Sequence, residues 1–236
     1  GGTAVPEIGE VTDYIRVLDR SGYFETVTLS EDDLKRNDMY RANAQRAKAQ
    51  SRFADYHDYL LSLEMTAEIG DFSPLYLQRI TQLTNKSNQF NLTTKRYTAE
   101  QMEAVYNSDE YIRLYGKLYD KFGDNGVVAV TIGKTDSEDK GRLDIELWLM
   151  SCRVLKRDME LAMLDSLVEQ AKKRGIREIY GHYYPTAKNK MVAGLYESFG
   201  FEKISQDEEG NTAWRLLVEG YEDKNTVIKV KEEHYA

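Results

Sequence analysis

The chain has 236 residues, of which 41% are apolar, and that share supports a real core and excludes wholesale disorder. Its formal net charge of −8 repels phosphate backbones and disfavours a non-specific nucleic-acid binder. The single cysteine excludes a disulfide framework within the chain and a zinc site built from several thiolates.

Residues 1–64 are predicted to form a helical connector segment. Apolar spacing indicates helices over 11–20, 31–50 and 52–63, and Ser30 with Asp33 approximates a capping box before the second helix. The 31–50 helix carries many charges and little apolar surface. That pattern favours a solvated face or an interdomain connector over a nucleic-acid arm.

From residue 65 onward, strands and helices alternate. Helices are predicted from Pro74, from Thr98 with its capping partner Gln101, over 157–174 and over 189–199. Strands are predicted over 65–69, 111–119, 127–132, 143–150, 176–183, 201–205 and 212–218. These elements predict an α/β (α+β) domain over 65–220, with a mixed, mostly antiparallel sheet flanked by helices. Residues 221–236 are expected to be a frayed C-terminal tail.

The element order and one spaced motif resemble the Gcn5-related N-acetyltransferases (GNAT) over residues 65–219. The motif places Asn189, Ala193, Tyr196 and Gly200-Phe201 on and after the last helix, as that family does. The resemblance implies an acyltransferase fold.

Three further segments are similar to the C-terminal half of the FkbH family. They are the run from Arg79 to Thr94, Ser151-Cys152-Arg153-Val154-Leu155, and Pro185-Thr186-Ala187-Lys188-Asn189. The resemblance implies transfer of a glyceryl-like acyl group from a phosphorylated three-carbon donor to the phosphopantetheine thiol of an acyl carrier protein. It also implies an upstream phosphatase-like domain of the haloacid dehalogenase type. The Asp-x-Asp signature of that domain does not occur in these 236 residues, so any dephosphorylation is expected to lie outside this chain. No cofactor is expected to be bound in this chain itself.

Cys152 is the candidate nucleophile. It follows a predicted strand and precedes a helix, beside Arg153 and Arg157, and such neighbours lower the pKa of a thiol. The alternative is a small buried hydrophobic residue, which is the usual role of a lone cysteine.

Arg153, Lys156 and Asp158 occupy the loop that cradles a pyrophosphate in the acetyltransferases. Glycines let the phosphate approach the backbone there, and Lys156 and Asp158 replace both of them. We therefore expect coenzyme A to bind weakly or not at all. Phosphopantetheine on a carrier protein has one phosphate and no adenosine, so it needs fewer contacts from this loop than coenzyme A does.

Two polar segments are candidate binding residues for the acyl group and the pantetheine arm. Asn85, Asn88 and Asn91 could hydrogen-bond a polyhydroxylated acyl group, although asparagine clusters are also common in turns. Thr186, Lys188 and Asn189 lie at a strand-to-helix junction. Helix capping with a solvated lysine is the alternative there.

His182 and Tyr196 are further catalytic candidates. His182 could partner Cys152, and Tyr196 could protonate a leaving thiolate, as its counterpart often does in acetyltransferases. A surface or core histidine and a packed tyrosine are the alternatives.

Other classes of site and location are disfavoured. His57, His182 and His234 are too scattered for a metal cluster, and no stretch approaches the ~20 apolar residues that span a bilayer. No signal peptide is evident, so we expect a cytoplasmic globular protein. The start at Gly1-Gly2, without an initiator Met, is expected of a piece of a longer chain.

Three functions therefore remain open. The first is an acyltransferase that delivers a small hydroxyacyl group to a carrier-protein thiol. The second is an acetyl-CoA-dependent N-acetyltransferase, which the missing glycines disfavour. The third is a non-catalytic module of the same fold that docks a carrier protein.

Overall fold

The computed structural model describes residues 31–232, with the side chains of residues 39 and 41–231. The chain divides into two compact units, Gly1–Asn43 and Ala44–Ala236. The helix predicted over 11–20 and the cap at Ser30 lie outside the described residues. The predicted helical segment ends at residue 64, and the predicted tail begins at residue 221. Neither limit coincides with this division.

The described helices lie where the apolar periodicity and the caps predict them, except over 189–199. Their bounds are α1 Glu31–Gln50, α2 Tyr56–Ser62, α3 Pro74–Lys86, α4 Ala99–Tyr106, α5 Met159–Lys173 and α6 Leu195–Ser198, with 3-10 helices at Cys152–Val154 and Lys190–Val192. The Thr98 hydroxyl and the Gln101 side chain cap α4 reciprocally. That predicted capping box is confirmed.

Nine strands in the described part of the chain form one mixed sheet. They are β1 Thr66–Asp71, β2 Phe90–Asn91, β3 Tyr111–Asp120, β4 Gly123–Thr135, β5 Arg142–Met150, β6 Glu178–Tyr183, β7 Glu202–Gln206, β8 Thr212–Leu217 and β9 Lys229–Glu232. The order across the sheet is β7-β8-β6-β5-β4-β3-β1-β9, with β2 attached to β5. Only β5 with β6 and β1 with β9 pair in parallel. The predicted fold class is confirmed.

Helices cover the two faces of the sheet and build a core on each. On one face α5 buries Met163, Leu167 and Val168 against Leu118 and other strand residues. On the other face α3 and α4 bury Ile80, Leu83 and Met102 against strands β3–β5. Strand β4, in the middle of the sheet, therefore has helices on both of its faces.

The structure corrects two predicted elements. The helix predicted over 189–199 is a 3-10 turn and the four-residue α6, because Gly194 interrupts it and Asn189 makes no capping bond to the turn. The tail predicted to fray contains β9, whose residues pair with β1 from Thr66 to Ile69. Asp165 on α5 also holds this tail, since its carboxylate accepts bonds from the Tyr221 hydroxyl and two backbone N–H groups.

The described residues lack two kinds of feature. None of the described helices has the length and apolar character needed to cross a membrane. Within residues 31–232, no group of three or more His, Cys, Asp and Glu side chains is placed to hold a metal ion.

Candidate functional site

The parallel strands β5 and β6 diverge along their length. They pair only from Arg142 to Asp144 with Glu178 to Tyr180, while β5 continues to Met150 and β6 to Tyr183. In open α/β sheets, ligands bind in the crevice outside the carboxyl ends of parallel strands. This divergence therefore locates the candidate site.

Residues 90–92 fill the crevice between the two strands. Phe90 and Asn91 pair with the end of β5, and the Leu92 N–H donates to the Trp148 carbonyl over 3.2 Å. On the other side the Tyr184 N–H donates to the Leu92 carbonyl over 2.9 Å. The backbone edge of β5 is therefore already paired, and the accessible chemistry lies beyond the strand end.

Cys152 lies just beyond that strand end, and its side chain is exposed. It opens the 3-10 helix Cys152–Val154, which buried Val154 anchors and whose first turn the Ser151 hydroxyl caps. The same hydroxyl accepts a bond from Arg153 Nε over 3.2 Å. The alternative of a buried cysteine is therefore wrong.

Two of the predicted influences on Cys152 are absent. The α-helix that follows begins only at Met159, and a three-residue 3-10 turn intervenes. Arg157 is buried and donates to Asp120 over 3.0 Å, and Arg46 on α1 makes a bidentate pair with the same carboxylate. Arg157 therefore joins the loop to α1 and to the end of β3 and does not face the thiol.

Arg79 on α3 lies near Arg153, the residue after Cys152, and it is not among the predicted site residues. Burial lowers the pKa of Arg79, and the charge of nearby Arg153 lowers it further. Arg79 has no hydrogen bond or ion pair within residues 31–232. Its position at the start of the segment that resembles the FkbH family is the signal that could have identified it.

The loop from Arg153 to Asp158 keeps a backbone shape typical of glycine. Lys156 has φ of 62° and Asp158 has φ of 59°, both in the left-handed region. These are the two positions at which the acetyltransferases have glycine. The backbone path is retained, while two side chains now project from it.

Acidic groups surround the N-terminus of α5 at this loop. Burial raises the pKa of Asp158 and that of Glu160, whose Oε2 has no hydrogen-bond partner in the described part of the chain. The Tyr56 hydroxyl of α2 covers the loop and donates to the Lys156 carbonyl over 2.6 Å. A phosphate bound at this loop would lie near these two acidic groups, and weak coenzyme A binding stays an expectation.

The three predicted acyl-binding asparagines hold the loop between α3 and α4. The Asn85 amide donates to the carbonyls of Thr81 and Tyr97, and Asn88 Oδ1 accepts a bond from Arg96. Asn91 is fully buried, and its side chain bonds the backbone of Ser87 and Thr94. Asn91 therefore offers no surface to a ligand, and the predicted contact is corrected to a structural role.

Asn189 has a similar structural role, although it belongs to a predicted binding segment. Its side chain is fully buried: Oδ1 accepts from Thr186, and Nδ2 donates to the carbonyls of Asn91 and Tyr184 over 2.9 and 3.0 Å. It therefore fastens the loop after β6 to the segment that fills the crevice. Thr186 and Lys188 remain exposed beside it.

His182 is bonded to a carboxylate and not to Cys152. Its Nε2 lies 3.3 Å from Asp144 Oδ1, and Arg142 forms a bidentate pair with the same side chain. Burial alone would raise the pKa of Asp144, but bonds from His182 and Arg142 outweigh it and hold that pKa below its ordinary value. Asp144 is a second residue that the sequence analysis missed, although its alternation with Leu143 on the strand places it on the polar face.

Tyr196 is packed in the core beneath β6. Its ring occupies the space of a Cβ at position 181, so only glycine fits there, and it also contacts Phe201 and Trp214. Burial raises the pKa of Tyr196, and a hydrogen bond with the backbone of His182 offsets only part of that rise. The predicted packing role fits this position better than proton transfer to a ligand.

The architecture is that of the GNAT acetyltransferase fold. The GNAT domain of S. lividans PAT has a TM-score of 0.50 and 14% identity to this chain, over 63% of this chain and 89% of that domain. At this level of identity the similarity establishes the fold alone. No protein-family model matches the chain, and no curated protein does. The resemblance to the FkbH family therefore stays a prediction.

Two other solved structures are similar over nearly their whole length. The ribosomal-protein-S18-alanine N-acetyltransferase from Escherichia coli has a TM-score of 0.49 and 13% identity, over 68% of this chain and 99% of that chain. The yncA protein from Salmonella typhimurium, solved with its cofactor acetyl-CoA, has a TM-score of 0.49 and 14% identity, over 67% of this chain and 96% of that chain.

Proposed function

We propose that the protein is an acyltransferase that carries a small, glyceryl-like acyl group on Cys152 and delivers it to the phosphopantetheine thiol of an acyl carrier protein. The observation that carries this proposal is the exposed position of Cys152 beyond the carboxyl end of β5. The crevice beside that strand is filled by residues 90–92, so an acceptor reaches the thiol from outside.

The charges around Cys152 suit an anionic donor. Arg153 follows the cysteine directly, and Arg79 contributes a second guanidinium group beside it. Guanidinium groups bind carboxylate and phosphate with paired hydrogen bonds. These two arginines would hold the acidic part of the donor while the thiolate approaches its carbonyl carbon.

The reaction consists of two exchanges at one sulfur atom. The Cys152 thiolate attacks the acyl carbon, a carbon–sulfur bond forms, and the donor's leaving group departs with the electron pair of the broken bond. The pantetheine thiolate then attacks the same carbon, and the Cys152 thiolate leaves. Each step exchanges one acyl bond for another, so no oxidant or reductant is needed.

A mass measurement tests the covalent step. The glyceryl thioester of N-acetylcysteamine serves as a small donor, and Cys152 is the only cysteine in the chain, so a thioester on the protein reports this residue alone. We expect the intact mass to increase by one acyl group, and Cys152→Ser to abolish both the increase and transfer to pantetheine while the fold is kept. Normal transfer by the Cys152→Ala variant would refute the proposed role of Cys152 as the nucleophile.

An acetyl-CoA-dependent N-acetyltransferase is the second candidate function. One observation favours it: Lys156 and Asp158 keep the left-handed backbone of a phosphate-cradling loop. The carboxylates of Asp158 and Glu160 at the same place oppose a bound pyrophosphate, so this candidate ranks second. Calorimetry with acetyl-CoA separates the two functions.

A further inference from the structure

Residues 184–195, the segment after β6, form a basic and apolar surface on an otherwise acidic protein. The segment contains Lys188 and Lys190 and no Asp or Glu, whereas the chain as a whole has a formal charge of −8. Neither lysine forms an ion pair within residues 31–232. Beside them Met191 and Tyr184 expose 53% and 43% of their surface.

The segment is held rigidly although it is exposed. Asn189 lies at its centre, is fully buried, and bonds Thr186, Tyr184 and Asn91. Val192 is also buried and anchors the 3-10 turn Lys190–Val192. A surface that is already ordered loses little conformational entropy when a partner binds it.

The same contacts place the segment close to Cys152. Asn189 Nδ2 bonds the carbonyl of Asn91, and Asn91 pairs with Leu149 on β5. From Leu149 to Cys152 the chain extends at most about 11 Å. A partner bound on the 184–195 segment therefore lies beside the open approach to the thiol.

We propose that the 184–195 segment is the docking surface for an acidic carrier protein, with Met191 and Tyr184 as apolar anchors and the two lysines facing carboxylates of the carrier. This inference rests on the proposed function and adds the place where the carrier binds. Met and Tyr are enriched at protein interfaces, and charges at the rim direct the encounter.

An acidic border fixes the direction from which the carrier approaches. The turn between β7 and β8 carries Asp207, Glu208 and Glu209, and its Gly210 lies against Pro185 of the segment. Like charges repel an acidic partner at this border, and the lysines attract it on the other side. Attraction on one side and repulsion on the other therefore favour one orientation of the bound carrier.

Charge reversal tests the docking surface. The experiment compares wild type with Lys190→Glu, using one holo acyl carrier protein and free pantetheine as acceptors from the same acyl donor. We expect kcat/KM for the carrier to fall about tenfold or more, mainly through KM, while transfer to free pantetheine is unchanged. Met191→Asp should reproduce this selective loss. The control Lys140→Glu changes the net charge equally at an exposed lysine on the β4–β5 loop.

The outcomes distinguish the two proposals. If the variant and the control lose carrier transfer equally, or neither loses it, the docking surface is wrong and the acyltransferase stands. Efficient transfer to pantetheine without any preference for the carrier would also refute the docking surface. If wild type transfers to neither acceptor, the proposed function itself fails, and the docking surface fails with it.

Discussion

Lys156 and Asp158 hold backbone conformations that cost free energy for residues with a side chain. A left-handed residue other than glycine is less stable by roughly 1–2 kcal/mol. Asp tolerates this region better than Lys, so most of the cost falls on Lys156. Its side chain is exposed, and its contact with Tyr56 uses the backbone carbonyl. The strain can therefore be removed without loss of packing.

We expect Lys156→Gly to raise the free energy of unfolding by about 1 kcal/mol. Lys156→Ala is the matched control, because it removes the same side chain and keeps the left-handed strain. Urea denaturation of the three proteins measures the difference. Equal stability of the Gly and Ala variants would show that the loop relaxes to another conformation.

Glu160 makes the stability of the protein depend on pH. Burial raises the pKa of Glu160 in the folded state above its ordinary value of 4.5. Below pH 4.5 the group is protonated in the folded and the unfolded chain, and wild type and Glu160→Gln should be equally stable. As the pH rises, the unfolded chain loses the proton first, and wild type loses stability relative to the variant. Urea denaturation at several pH values from 4 to 8 checks this sign, and a constant difference would contradict it.

At the scale of elements, Asp165 connects α5 to the C-terminal segment. Its carboxylate accepts bonds from the Tyr221 hydroxyl over 2.6 Å and from the N–H groups of Lys224 and Asn225. Three hydrogen bonds to one carboxylate therefore hold this segment against fraying. The segment that follows leads directly into β9.

We expect Asp165→Ala to release the C-terminal segment and to cost about 2–3 kcal/mol of stability. Hydrogen exchange should accelerate at residues 221–232 and along β1, and remain slow in β4 and β5. Tyr221→Phe is the milder comparison, because it removes one donor of the three. Unchanged exchange at β9 in the Asp165 variant would show that strand pairing alone holds the tail.

The elements that the sequence predicts are those determined by short-range patterns. The Thr98 capping box and the strands β3 and β5 depend on residues a few positions apart, and the structure confirms them. The strands β9 and β2 pair with strands far along the chain, and no local pattern indicates either of them. The site shows the same limit: the position of Cys152 after β5 was predicted, but the bond of Arg157 to Asp120 was not.

At the scale of the whole molecule, the filled crevice and the acidic loop lead us to expect that coenzyme A binds weakly. Residues 90–92 occupy the edge of β5, and Asp158 and Glu160 lie at the N-terminus of α5. We expect calorimetry to show no binding of acetyl-CoA near a dissociation constant of about 1 μM, which corresponds to ~8 kcal/mol. Binding of that strength would favour the N-acetyltransferase.

A double variant separates the two obstacles to coenzyme A. Lys156→Gly/Asp158→Gly removes both loop side chains and keeps residues 90–92 in the crevice. We expect coenzyme A to remain a weak ligand of this variant, because the strand edge stays occupied. If the double variant binds coenzyme A tightly and wild type does not, the loop side chains are the obstacle to coenzyme A.

The pairing of β9 with β1 has a consequence for how the chain is made. Synthesis proceeds from the N-terminus, so β1 forms one border of the sheet for the whole time in which the strands from β3 to β8 are added. During that interval its unpaired N–H and C=O groups can accept a strand from another chain. The arrival of β9 pairs the edge of β1 from Thr66 to Ile69 and leaves the four-residue β9 at the border. A ribosome-bound or truncated chain that lacks β9 should therefore be the species that recruits chaperones and self-associates.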